Sequence, residues 1–121
     1  VRAACDAEGL ALVPLVAPTT TPERVAEIGA SARGFVYTVS LTGITGERDE
    51  LAPGLVETVT RVKAAAPVPV AVGFGISTPA QAGAVAELAD GVIVGTRIVR
   101  AAGEGGAAVG AVVGELAEAL R

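Results

Sequence analysis

The sequence contains no histidine, no methionine and no tryptophan, and Cys5 is its single cysteine among 121 residues. Without histidine, this stretch of chain lacks the commonest general base and the commonest metal ligand. One cysteine cannot build a disulfide framework, and a lone thiol fits a reducing cytoplasm. Aromatic residues make up 2% of the chain, too few for a platform on which nucleobases stack. Positive charge is scarce as well. Nine Lys and Arg stand against 13 Asp and Glu, and the net charge of −4 argues against a nucleic-acid surface. Long apolar runs are missing too: the longest, Ala11 to Ala17, falls far short of the ~20 residues a membrane helix needs. Val1 to Leu10 has neither the basic stretch nor the apolar run of a secretory signal. The sequence opens on Val1 with no methionine anywhere, which predicts a segment of a longer protein.

What is present is an alternation. Four short apolar segments, Ala11–Ala17, Gly34–Val39, Pro69–Val72 and Gly91–Val94, read as strands. They are near-continuous runs of Val, Ile, Leu and Ala, the pattern of parallel strands covered on both faces. Helical periodicity lies between them. Val25 and Ile28 are three apart, Leu55, Val59 and Val62 follow at i, i+4, i+7, and Val85 and Leu88 repeat the spacing. Val109, Val112, Val113, Leu116 and Leu120 make an apolar stripe on the last helix. Thr21-Pro22 places a capping hydroxyl before a proline at the first helical position, and Thr78-Pro79-Ala80-Gln81 adds the Gln of a capping box.

A strand–helix repeat of this kind predicts a parallel sheet, as in a (β/α)₈ barrel or a doubly wound open sheet. The open sheet normally carries a glycine-rich fingerprint after its first strand. Here the first strand runs into Pro18-Thr19-Thr20-Thr21, and the glycines cluster after the last two strands, which favours the barrel. Because 121 residues are about half of a typical ~250-residue barrel, residues 1–121 read as one half-barrel segment. The strand starts at 11, 34, 69 and 91 expose one long unit, with extra residues from Ser40 to Ala52 after the second strand. A long loop at the C-terminal end of a strand is a candidate lid.

Two glycine-closed strand ends carry the chemistry. Gly73-Phe74-Gly75-Ile76-Ser77 follows the third strand, and Gly95-Thr96 follows the fourth and opens the segment Arg97–Ala101. Glycine lets backbone N–H groups approach an anion, and a helix start behind them adds unpaired donors. The pair suits a phosphate site, although tight turns use glycine as well. In the long loop, Leu41-Thr42-Gly43-Ile44-Thr45-Gly46 has glycines three apart, followed by Glu47, Asp49 and Glu50, which read as a solvated acidic run. If odd positions of the second strand point into the barrel, Phe35, Tyr37 and Val39 face the cavity. Tyr37 is then either a pocket residue or a core tyrosine. Asp90, at the opposite end of the sheet, reads as a turn residue. Lys63 reads as solvated, and Arg97 either steers a phosphate or faces solvent. No carboxylate falls at the C-terminal end of a strand, so no catalytic acid or base is expected in this segment, and no metal or cofactor site is expected either.

These motifs resemble a known family. Gly34-Phe35-Val36-Tyr37-Thr38-Val39-Ser40-Leu41-Thr42-Gly43-Ile44-Thr45-Gly46 is similar to the sixth strand and loop of tryptophan synthase alpha chains. Pro69-Val70-Ala71-Val72-Gly73-Phe74-Gly75-Ile76-Ser77 resembles their seventh strand and loop, Ala89-Asp90-Gly91-Val92-Ile93-Val94-Gly95-Thr96 their eighth, and Ala11 to Pro18 their fifth. The resemblance implies the C-terminal half of a TIM barrel, strands 5 to 8 with their helices. It implies a lyase that cleaves indole-3-glycerol phosphate to indole and glyceraldehyde 3-phosphate in tryptophan biosynthesis. It places phosphate binding at Gly46, Gly75, Gly95 and Thr96, the substrate pocket at Tyr37 and Phe74, and Thr45 in the lid. It puts the catalytic aspartate and glutamate upstream of Val1, so the segment alone should be inactive. The implied partner is the beta chain, which would hold the pyridoxal phosphate. Thr96-Arg97 departs from the usual Ser-Ala but keeps a hydroxyl, and Leu41-Thr42 replaces a more polar pair. Another phosphate-binding barrel acting on a sugar phosphate, or a non-catalytic phosphate-binding regulatory subunit, are the alternatives.

Overall fold

The computed structural model describes residues 1–40, 51 and 53–121. Its elements run α1 (Arg2–Ala7), β1 (Leu15–Val16), α2 (Pro22–Ser31), β2 (Val36–Val39), α3 (Pro53–Ala65), β3 (Val70–Gly73), α4 (Pro79–Ala86), β4 (Gly91–Ile93), α5 (Thr96–Glu104) and α6 (Gly106–Ala119). All four strands pair in parallel, in the spatial order β1-β2-β3-β4. Each strand therefore lies beside its sequence neighbour with a helix in the connection. A doubly wound sheet reverses direction at a switch point; no reversal occurs among these four strands.

Three of the four strands are shorter than the apolar runs that announced them, while β3 keeps four residues, shifted by one to Val70–Gly73. The run Ala11–Ala17 yields only Leu15–Val16. Pro14 precedes that pair and contributes its carbonyl, which accepts from the Tyr37 N–H at 3.0 Å. Proline has no N–H to give a ladder, so the run cannot pair along its whole length. Helix α1 was not anticipated, because Arg2–Ala7 buries no residue and so carries no apolar stripe to read.

Register divides the sheet into two faces. Val16, Thr38 and Val72 are cross-strand partners, as are Val36 and Val70. All five are at most 1% exposed and lie on the helix-covered side. Val25, Leu55, Val59, Val62, Ala82 and Val85 from the helices join the same core. The alternate positions Leu15, Tyr37, Ala71 and Gly91 form the second face, which the helices leave open; Leu15 is 63% exposed. The sequence suggested strands covered on both faces, whereas among the described residues only one is covered. A barrel's inner face is closed by strands from across the barrel, which these four cannot supply.

Helices α2 and α3 approach closely at Gly29, where a Cβ would lie 2.7 Å from the Ala65 carbonyl carbon. Both anticipated caps are present: the Thr21 hydroxyl accepts from Arg24 N–H, and Thr78 with Gln81 forms a complete capping box. Helix α6 packs on α4 and α5. Of its expected stripe only Leu116 is buried, while Val113 and Leu120 are each 45% exposed. They border an apolar groove with Val92, Val94 and Ile98 beside β4.

Candidate phosphate-binding site at the strand ends

The C-terminal ends of β2, β3 and β4 open into one cavity of about 380 Å³, lined by Tyr37, Phe74, Gly75, Ile76, Ser77, Ile93, Gly95 and Thr96. Five residues singled out from sequence meet here: Tyr37, Phe74, Gly75, Gly95 and Thr96. Gly46 and Thr45 lie outside the described residues, as does the acidic run Glu47, Asp49 and Glu50. Ile93 was missed, although a parallel register brings it beside Gly73 once Tyr37 is paired with Ala71.

Tyr37 reaches the cavity because odd positions of β2 lie on the uncovered face. Its ring leans across Gly73, where a Cβ would collide with the phenol oxygen and sit 3.0 Å from Ile93 Cβ. Gly73 is thus the space that the tyrosine occupies. The chain then reverses through two residues of positive φ, Phe74 at 80° and Gly75 at 81°. Glycine adopts this conformation freely, but a phenylalanine there is strained, typically by ~1–3 kcal/mol. The turn leaves Phe74 60% exposed at the cavity rim.

Polar contacts hold the far side of this turn. Gln81 Oε1 accepts from Ser77 N–H at 2.9 Å and Thr78 N–H at 3.1 Å, tying the loop to the first turn of α4. Gln81 is 7% exposed, so its amide is fixed within the fold.

The fourth strand runs through Val94-Gly95 directly into α5. Gly95 provides no side-chain cap. Val99 is the first residue of α5 whose N–H finds its helical acceptor, the Gly95 carbonyl at 3.0 Å. The N–H groups of Thr96, Arg97 and Ile98 precede it as first-turn donors beside the cavity. With the glycine turn lining the same cavity, the arrangement offers first-turn donors and the positive end of a helix dipole, which suit an anion.

Arg97 neither lines the cavity nor floats in solvent. Its Nη1 donates to the Ser77 carbonyl at 2.5 Å and its Nη2 to Glu115 of α6 at 2.6 Å. Lys63 is exposed, as read from sequence, and also donates to the Leu88 carbonyl at 3.3 Å and to Asp90 at 3.2 Å. Asp90 is structural: its second carboxylate oxygen accepts from Val70 N–H at 2.9 Å. The Val70 N–H first, and Lys63 second, hold the Asp90 carboxyl below its ordinary pKa. No carboxylate lines the cavity among the described residues.

The family model described as tryptophan synthase alpha chain matches residues 1–119. The chain belongs to the tryptophan synthase alpha chain family. It is 45% identical over 119 residues to the tryptophan synthase alpha chain of Mycobacterium ulcerans, covering 98% of this chain and 44% of that protein. It is 53% identical over 103 residues to that of Halalkalibacterium halodurans, covering 85% of this chain and 38% of the relative. A solved structure of Mycobacterium tuberculosis tryptophan synthase superposes with a TM-score of 0.85 at 45% identity, over 98% of this chain and 45% of the matched one. The chain thus spans under half the length of these relatives, and its four strands and their helices correspond to part of the alpha-chain barrel. No described helix is long and apolar enough to cross a membrane.

Proposed function

We propose that residues 1–121 are the C-terminal half of a tryptophan synthase alpha barrel, strands 5 to 8, and form the phosphate grip of a lyase. In the whole protein the reaction is cleavage of indole-3-glycerol phosphate to indole and glyceraldehyde 3-phosphate. The observation that carries this reading is the cavity at the strand ends, where the Phe74-Gly75 turn faces the uncapped start of α5. Backbone N–H groups around Gly75, Gly95 and Thr96 hold the phosphate, and the Thr96 hydroxyl adds a donor. Tyr37 and Phe74 present aromatic surface to the indole side of the substrate. Gly46 joins the phosphate contacts and Thr45 serves the lid on the strength of sequence resemblance alone.

The binding groups and the acid–base groups lie on different parts of the barrel. Cleavage needs a proton delivered to the indole ring and one withdrawn from the glycerol side. The cavity lining contains no histidine or carboxylate among the described residues. The remainder of the barrel supplies those groups, and phosphate binding energy holds the substrate against them. The whole alpha chain acts in the cytoplasm and pairs with a beta chain that holds pyridoxal phosphate; no residue of this chain is assigned to that cofactor.

The test is indole release. The full-length chain converts indole-3-glycerol phosphate, the isolated segment does not, and adding the remaining half restores part of the activity. Indole release by the segment alone would place the acid–base groups here and sink the division of labour. No release by the full-length chain, with phosphate esters still bound, would favour the non-catalytic regulatory reading.

A further inference from the structure

Among the described residues, Arg97 is the charged side chain beside the cavity that the proposed chemistry leaves without a role, and its geometry is specific. It belongs to the first turn of α5, yet its two terminal guanidinium nitrogens are engaged by protein groups. One side is occupied by the Ser77 carbonyl, the other by the Glu115 carboxylate. Its side chain is 27% exposed and that of Glu115 is 55% exposed. An ion pair this accessible adds little to global stability. What it does is geometric: it joins the turn after β3, the start of α5 and the middle of α6 at one point.

That point matters because the two halves of the cavity come from different βα units. Gln81 ties Ser77 N–H and Thr78 N–H to α4, which fixes the turn to its own unit only. Among the described residues, Arg97 to Ser77 is the side-chain hydrogen bond that crosses from the α5 side to the turn carrying Gly75. The strained Phe74 lies three residues before that carbonyl. Anchoring Ser77 from the α5 side sets the separation between the donors around Gly75 and those at Thr96. An anion held by both sets is sensitive to that separation, since hydrogen bonds weaken steeply with misalignment.

We propose that Arg97 is a positioning residue for the phosphate site, acting through the Ser77 carbonyl and itself oriented by Glu115, rather than a phosphate ligand. The inference rests on the phosphate-grip reading above. A direct ligand and a clamp respond oppositely to loss of Glu115. Freed from Glu115, a ligand arginine keeps or gains affinity for the phosphate, whereas a clamp arginine loses its orientation and the site loosens.

The experiment uses the full-length alpha chain, with glycerol 3-phosphate as the binding probe and indole-3-glycerol phosphate for kinetics. Arg97→Leu should weaken glycerol 3-phosphate binding about 5–10-fold and raise KM similarly while kcat changes less than about twofold, as expected for uniform binding loss. Glu115→Gln should weaken binding in the same direction by about 2–5-fold, and the double variant should be no worse than Arg97→Leu, because the two act as one unit. Arg97→Lys should recover part of the affinity, since an ammonium can still donate to Ser77. Tm should stay within about 3 °C of wild type in each, as surface ion pairs contribute little. Unchanged affinity in Arg97→Leu, or affinity held or tightened in Glu115→Gln, overturns the clamp. Gly75→Asp serves as the control on the underlying reading: if it too binds normally, the phosphate site is misplaced and the clamp falls with it. If Gly75→Asp loses binding while Arg97→Leu does not, only the clamp is wrong.

Discussion

The two ends of the parallel sheet are built from the same strands and are chemically opposite. At the N-terminal end, polar groups are matched: Asp90 accepts from Val70 N–H and from Lys63, and Lys63 also donates to the Leu88 carbonyl. At the C-terminal end, Phe74 sits at positive φ, α5 begins without a side-chain cap, and Phe74 and Gly75 are exposed around a cavity. Just inside that end, the Thr38 hydroxyl is buried with no hydrogen-bond partner among the described residues. One end is satisfied, while the other keeps strain and first-turn donors without helical partners. In a barrel the first arrangement serves stability and the second serves ligands. Strain and such donors persist only where the surrounding structure holds them, here the buried valine layer on the helix-covered face of the same strands.

The sharpest way to break this comparison is to fill the open end. Gly75→Asp in the full-length protein should reduce glycerol 3-phosphate affinity by more than about 100-fold, because a carboxylate would take the anion's place and repel it. Calorimetric titration measures it, and circular dichroism checks that the fold survives. Wild-type affinity in this variant would mean that the open end is not the phosphate site.

A second substitution removes a cost at the same end without touching the cavity. Thr38 lies between Val16 and Val72 on the helix-covered face, so valine matches both its shape and its neighbours. Thr38→Val should raise stability by about 1 kcal/mol, since a buried hydroxyl without a partner carries its desolvation penalty uncompensated. Urea unfolding of the full-length protein reads the change. A loss of stability would show that the hydroxyl has a partner, and that the contrast between the ends is smaller than drawn.

The smallest effect belongs to the N-terminal end. Asp90→Asn should lower stability by up to about 1 kcal/mol, because the pair with Lys63 is solvent-accessible and screened. Its sign against pH follows from the lowered pKa of Asp90. A carboxyl whose pKa is lower folded than unfolded contributes fully above its unfolded pKa and loses that contribution as pH falls through the folded value. The wild-type advantage over Asp90→Asn should therefore be present at neutral pH and vanish on acidification, with phosphate-ester affinity unaffected throughout. An effect on ligand affinity comparable to that at Gly75 would dissolve the distinction between the two ends.

Much of this organisation is legible in the residues. Thr21-Pro22 and Thr78-Pro79-Ala80-Gln81 mark two helix starts through local hydrogen bonding, and both caps are in place. The apolar runs place all four strands, because a chain covered by helices must bury Val, Ile and Leu wherever it extends. Three of the four lengths were overestimated, since a run such as Ala11–Ala17 can be apolar without being paired, and pairing depends on the neighbouring strand. The turn glycines point to the cavity, and the odd positions of β2 put Tyr37 beside it. The partners of Arg97 and Lys63 were not legible: Ser77 is 20 residues from Arg97 and Leu88 is 25 from Lys63, and nothing local sets those distances.

What the sequence determined by itself is therefore whatever operates over a few residues: helix starts, the alternation of strands and helices, and glycine where the backbone must turn tightly. Its motifs also carry the family, because those short patterns recur as a set in one order. Only the tertiary structure decided which face of each strand is covered, that Gly73 makes room for the Tyr37 ring, and that Arg97 binds Ser77 and Glu115 rather than solvent. Those outcomes depend on the register of parallel strands and the seating of α5 and α6 on them, and such long-range geometry is fixed when the elements pack together.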